Sequence, residues 1–116
     1  MTRFLIIALL TATPLGAAEW TTKPDDLPLT QQELTALAGR TLTFYDDGQS
    51  RYSAGGAYSY TYANGESAFG TYSIAEDGSI CVQYRNGFGR CDLYVLSAGR
   101  LILITEKGER FPVRPE

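Results

Sequence analysis

Histidine is absent from the chain, so there is no imidazole base, no Ser-His or Cys-His nucleophile pair and no histidine metal ligand. The groups left for chemistry are thirteen carboxylates, ten basic side chains, two cysteines and eight tyrosines. Paired carboxylates suffice for glycoside hydrolysis, but nearly all the acids here lie beside glycine or proline in turn-like segments, where solvation accounts for them. Ser-Lys catalysis would draw on Lys23 or Lys107, and both sit in polar contexts that do not desolvate a lysine. Asp46-Asp47-Gly48 and Glu76-Asp77-Gly78 offer too few oxygens for a calcium loop and lack its terminal bidentate glutamate. Asp-Gly is ordinary turn chemistry. No catalytic residue, metal or cofactor is expected.

The tyrosines are more distinctive. Tyr58, Tyr60 and Tyr62 recur at period two in the run Tyr58-Ser59-Tyr60-Thr61-Tyr62, which places all three on one face of a strand. Tyr52 and Tyr72 are expected on neighbouring strands. Two readings are open: an aromatic platform that stacks a sugar ring or an apolar ligand, or an interior filled by tyrosines whose hydroxyls bond at its ends. Ser59 and Thr61 on the opposite, solvent-like face turn the tyrosines inward.

The two cysteines are Cys81 and Cys91. Between them lies the strongest hairpin signal in the chain, Asn86-Gly87 flanked by β-forming residues. A three-residue loop Arg85-Asn86-Gly87, with Gly87 in the left-handed region, sets Tyr84 against Phe88, Val82 against Arg90 and Cys81 against Cys91. Directly opposed residues lie close enough for a disulfide where the pair is not hydrogen-bonded. A two-residue turn would instead set Cys81 against Asp92. The spacing lacks the Cys-x-x-Cys pattern of redox pairs, so the bridge reads as structural.

A structural disulfide requires an oxidising compartment, and the N-terminus supplies the route. Residues 1–18 combine Arg3, the apolar run Phe4 to Leu10, the helix breaker Pro14 and the small residues Gly16-Ala17-Ala18. This is the layout of a cleaved secretory signal. Its apolar run is shorter than the roughly 20 residues that span a bilayer, and no cysteine near the cut offers a lipid anchor. A periplasmic or secreted bacterial protein is expected, with no membrane span after cleavage.

The remaining residues must position this chemistry. Residues 19–28 are polar, carry two prolines and read as an extended arm whose one aromatic residue is Trp20. Residues 29–116 read as a single disulfide-bonded β domain. Thr30 and Glu33 form a capping box, flanked by Leu29 and Leu34 at staple positions, and Gly39 is placed to end a helix of about two turns. Eight strands are expected at 41–45, 49–53, 57–62, 68–74, 79–84, 88–96, 101–105 and 109–113, separated by seven short turn signals. Turns so short join only antiparallel neighbours. The expected fold is mainly β, a small antiparallel up-and-down barrel or sandwich of about eight strands with one short N-terminal helix. The last strands, around Leu93–Leu96 and Leu101–Ile104, are apolar on both faces and need cover outside as well as inside. The helix, Trp20 or a partner would supply it.

The order Leu29-Thr30, Glu33-Leu34, Gly39, Thr41, Tyr45, Asp47-Gly48, Gly70-Thr71-Tyr72, Asp77-Gly78, Cys81 and Cys91 resembles small exported proteins of proteobacteria, chiefly alphaproteobacteria, grouped as a domain of unknown function. The resemblance spans roughly residues 29–97, with Tyr72 standing where a tryptophan is expected. It implies a periplasmic, disulfide-bonded β domain and carries over no catalytic residue.

Net charge is −3 with mixed signs, which leaves no basic face for nucleic acid. The function expected is a non-enzymatic periplasmic binding or inhibitor-like module for an unknown small molecule. The alternatives are an envelope-associated interaction protein using the doubly apolar C-terminal strands and, less favoured, a small hydrolase. Facing carboxylates in one cleft, one with a raised pKa, would favour the hydrolase.

Overall fold

A computed structural model describes residues 19–116; the expected leader, residues 1–18, lies outside the described residues. Nine strands form one antiparallel sheet: β1 (Leu27–Pro28), β2 (Thr41–Thr43), β3 (Gln49–Tyr52), β4 (Ala57–Thr61), β5 (Ser67–Ile74), β6 (Ile80–Tyr84), β7 (Gly89–Ser97), β8 (Arg100–Thr105) and β9 (Arg110–Pro112). From β2 to β9 each strand pairs with the next in sequence. This is the expected meander, in a single curled, barrel-like sheet. The expected eight strands correspond to β2–β9.

The turns set the register. Six of the seven hairpins share one loop, three residues long, ending at Asp47, Gly56, Gly65, Gly78, Gly87 or Gly108. Each of these six residues has a positive φ, between 70° and 97°. The seventh hairpin is the two-residue turn Ala98-Gly99, with φ of 51° and 79°, between the paired residues Ser97 and Arg100. Positive φ at both central positions is the type I′ geometry that matches strand twist.

The Cys81 hairpin has the expected loop. The Tyr84 N–H donates to the Phe88 carbonyl at 2.7 Å and the Gly87 N–H to the Tyr84 carbonyl at 3.0 Å. Val82 then faces Arg90 and Cys81 faces Cys91. Their Cα atoms lie 4.0 Å apart and the disulfide is formed.

The curl brings the two ends of the meander together. Phe44 and Val113 form an isolated bridge, and the Arg114 N–H donates to the Thr43 carbonyl at 2.7 Å. Exposed ion pairs Arg40–Glu116 and Arg114–Asp47 flank this seam and contribute little in water.

The helix α1 (Gln31–Thr35) starts at the capping box: Thr30 accepts from the Glu33 N–H and donates its own N–H to Glu33 Oε1. It is shorter than expected. Beyond Thr35 the chain continues in tighter turns to Gly39, whose N–H reaches the Tyr52 carbonyl. Leu29, Leu34 and Leu37 join the interior cluster with Leu42, Phe44, Tyr94 and Leu103. The helix therefore covers the interior rather than the outer face of the last strands.

That outer face is covered by the arm. Leu93, Val95 and Ile104 form a second buried cluster, with Trp20 and Ile102 packed against it. Two contacts fasten the arm. The Arg110 guanidinium donates to both Asp26 oxygens, at 2.8 and 2.9 Å, and the Trp20 indole donates to Asp77 Oδ2 at 3.1 Å. Asp26 also accepts the Lys23 N–H, and the Arg110 hydrogen bonds hold its carboxyl well below the usual range despite burial. The arm continues into β1, whose Leu27 and Pro28 pair with Leu96 and Val95. This ninth strand escaped the sequence pattern because it is two residues long and half proline, a residue confined to sheet edges.

Trp20 is the sole tryptophan, so its fluorescence reports arm docking. Asp26→Asn is expected to red-shift the emission and lower stability by about 1–3 kcal/mol at neutral pH. A depressed carboxylate pKa makes this contribution full above the ordinary value of 3.8 and lost as pH falls towards the folded-state value. The wild type should therefore undergo the same shift only in stronger acid. The Cys81→Ser/Cys91→Ser variant is expected to lose about 2–3 kcal/mol, read by urea unfolding, because it frees a short loop in the unfolded chain.

Candidate functional site

Strand alternation sends Tyr52, Tyr58, Tyr60, Tyr72, Tyr84 and Tyr94 to the interior. Tyr52 meets the rings of Tyr58 and Tyr72 at 5.1 Å and Tyr94 at 6.2 Å. Tyr58 meets Tyr84 edge-on at 5.9 Å. That last contact passes over Gly70, which sits between Tyr58 and Tyr84 in the sheet. A methyl group on Gly70 would strike the Gln83 backbone. The hydroxyls are paired: Tyr52 with Tyr94 and Tyr58 with Ser50, each at 2.8 Å, while Tyr72 donates to the Ser53 carbonyl at 2.8 Å. Burial raises the pKa of Tyr52, Tyr58 and Tyr94, so these phenols stay neutral.

The three tyrosines singled out in the sequence meet three different surroundings. Tyr58 is buried in the core, Tyr60 is half-buried, and Tyr62 is 52% exposed. Tyr60 and Tyr62 stand edge to face at 76°. They form no flat platform. Tyr60 instead walls a pocket of about 200 Å³, together with Phe44, Asp46, Arg90, Asp92, Leu103, Thr105 and Phe111. Its lining comes from β4, β7, β8, β9 and the segment that follows β2.

Asp92 dominates this pocket. It is 1% exposed and accepts from Arg90 Nε on Oδ2 at 3.0 Å. Its other oxygen, Oδ1, is the one buried side-chain polar atom among the described residues with no hydrogen-bond partner. Burial pushes the Asp92 pKa up, Arg90 opposes it, and Glu106 adds a small push in the same direction as burial. Arg90 is more exposed and stays charged. Its guanidinium also donates to Tyr58 Oη at 3.2 Å and lies over the rings of Tyr60 and Tyr84 at 5.9 and 5.8 Å. Burial opposes that charge, but the adjoining Asp92 carboxylate favours it and the Arg90 pKa is raised. Asp46 adds a second carboxylate, and burial together with Asp46 raises the Tyr60 pKa. Gly48, beside Asp46, leaves room for the Tyr60 hydroxyl against the backbone.

Arg90 and Asp92 went unnoticed as site residues in the sequence, yet the signal was there. Opposing Val82 to Arg90 puts the arginine on the interior side, and period two carries Asp92 and Tyr94 with it. Asp92 is also the acid in the middle of an expected strand. Asp46 and Asp77, by contrast, cap their own turns through Gly48 and Ser79.

A larger cleft, about 420 Å³, runs between α1, the β7–β8 turn and the C-terminal residues. Its floor is apolar and its charged groups are engaged. Arg40 pairs with Glu116, Arg114 with Asp47, Arg100 reaches Tyr45 Oη and Glu33 closes the capping box. No buried polar group there lacks a partner, so the smaller pocket is the candidate site.

No protein family, curated protein or solved structure matches this chain. Among the described residues, no helix is long and apolar enough to cross a membrane.

Asp92→Asn is expected to keep the Arg90 hydrogen bond while removing a buried charge. A raised pKa means that the wild type loses stability as pH rises through the folded-state value. The stability of the variant relative to wild type should therefore increase as pH rises above the ordinary carboxylate value of 3.8 and level off once pH exceeds the folded-state value, measured by urea unfolding at a series of pH values. Gly70→Ala should cost about 1–3 kcal/mol at any pH, because an added methyl is forced into backbone.

Proposed function

We propose that the protein is an exported binding module that takes a small ligand into the pocket around Asp92. One observation carries this reading. Asp92, which lines the pocket, buries one carboxylate oxygen without a partner. Proteins satisfy nearly all buried polar groups, and an ionised acceptor left unmade is costly. Such an exception, coupled to a raised pKa, is typical of sites kept for a ligand rather than for stability.

The compartment belongs to the same reading. The leader pattern of residues 1–18, the Cys81–Cys91 bridge and the resemblance to exported proteobacterial domains support a periplasmic or secreted protein. A partner-binding role through the outer face of β7 and β8 has less support, since Trp20 and the arm already occupy that face.

One observation favours a second reading, a small hydrolase. Asp46 and Asp92 share the pocket, and burial raises the pKa of one, the pattern of an acid and its partner in glycoside hydrolysis. Against it, Asp92 is tied to Arg90, and its free oxygen points to an acceptor role.

Both readings meet one experiment. The mature protein is titrated with a library of small polar fragments while amide NMR shifts of Tyr60, Arg90, Asp92 and Thr105 are followed. Binding predicts shifts confined to this pocket and diminished at least about tenfold in affinity by Asp92→Asn, the scale of one charge-assisted hydrogen bond. Fragments that move only other regions would overturn the reading. Turnover of chromogenic glycosides, lost in both Asp46→Asn and Asp92→Asn, would replace it with the hydrolase.

A further inference from the structure

Building on that reading, we infer that the ligand class of this pocket is a small organic cation: a protonated amine on a short apolar or aromatic body, its ammonium on Asp92 Oδ1. The pocket is lined by two carboxylates, Asp46 and Asp92, and one guanidinium, Arg90, so its ionised groups carry an excess of one negative charge. The guanidinium is already engaged. It bonds Asp92 Oδ2 and Tyr58 Oη and lies over two tyrosine rings, so its charge is already matched by Asp92 and an anion would have to compete with that carboxylate.

The unpartnered oxygen asks for a donor, and several donors compete for it. A neutral hydroxyl offers what water offers. An ammonium offers more, since a hydrogen bond with both partners ionised is about twice as strong as a neutral one. It also restores charge balance beside a carboxylate that has been stripped of solvent. The rest of the wall suits the body of such a molecule. Phe44, Leu103 and Phe111 supply apolar surface, and the Tyr60 ring adds a negative π face that favours cations. At about 200 Å³ the space falls below the roughly 300 Å³ at which pockets for drug-sized ligands begin. The body is therefore one ring or a few carbons.

The test compares benzylamine, benzyl alcohol and benzoate, three probes of one shape and three charges. Each is titrated against the full mature protein at pH 7, with the amide shifts of Tyr60, Arg90, Asp92 and Thr105 as readout. Benzylamine is expected to bind in this pocket at least about tenfold more tightly than benzyl alcohol, a difference of about 1.4 kcal/mol, and benzoate not at all. Asp92→Asn should erase the preference of amine over alcohol. Asp46→Asn, which alters an exposed residue and keeps the Gly48 hydrogen bond, should weaken benzylamine by about two- to threefold, as expected of a solvent-screened charge. Equal or tighter binding of the alcohol or of benzoate in this pocket would overturn the cation assignment and leave the binding reading standing. If none of the three probes perturbs the pocket, while the fragment titration still finds a ligand there, the cation assignment falls alone. If the fragment titration is silent too, both fall.

Discussion

The pairing of Cys81 with Cys91 fixes which side of the sheet every residue of β6 and β7 occupies. Side chains alternate along a strand, so a shift of one residue would exchange the two faces completely. With the cysteines opposed on the outer side, Val82, Tyr84, Arg90, Asp92 and Tyr94 must point inward. The buried ion pair and most of the tyrosine cluster follow from that one register. The loop ending at Gly87 enforces it from the turn, and the disulfide enforces it from the strands.

The interior that results is unusually polar. Tyrosine rings fill the volume that aliphatic side chains fill in most small β domains, and their hydroxyls pair with each other, with Ser50 and with backbone. Such a network gives stability only when every member is satisfied. Among the described residues, every fully buried side-chain polar atom has a partner except Asp92 Oδ1. Asp92 also lines the pocket, so the cost of burying that charge and the candidate function share one residue.

The N-terminal arm solves a separate problem. β7 and β8 are apolar on both faces, and a single curled sheet has only one interior. The outer cluster of Leu93, Val95 and Ile104 is closed by Trp20, and the arm is held by the two-pronged Asp26–Arg110 pair. A chain segment of mixed polar composition thereby becomes part of the fold, and its last two residues become an edge strand. Local pattern shows neither the strand nor the ion pair, because Asp26 and Arg110 lie 84 residues apart.

Much was fixed by local chemistry and so was legible in the residues alone. Turn residues able to adopt positive φ set the meander and its register, period-two alternation set the inward face of Tyr58 and Tyr60, and the capping box of Thr30 and Glu33 set the helix start. Those effects act within a few residues and need no knowledge of the rest of the chain. Tertiary structure decided what depends on curvature and on distant neighbours. It chose one curled sheet over two stacked ones, sent the helix to the interior and the arm to the outside, and gave three tyrosines of one face three different environments. It also left Asp92 with one oxygen unmatched, since whether a polar atom finds a partner depends on every group that folding brings within reach.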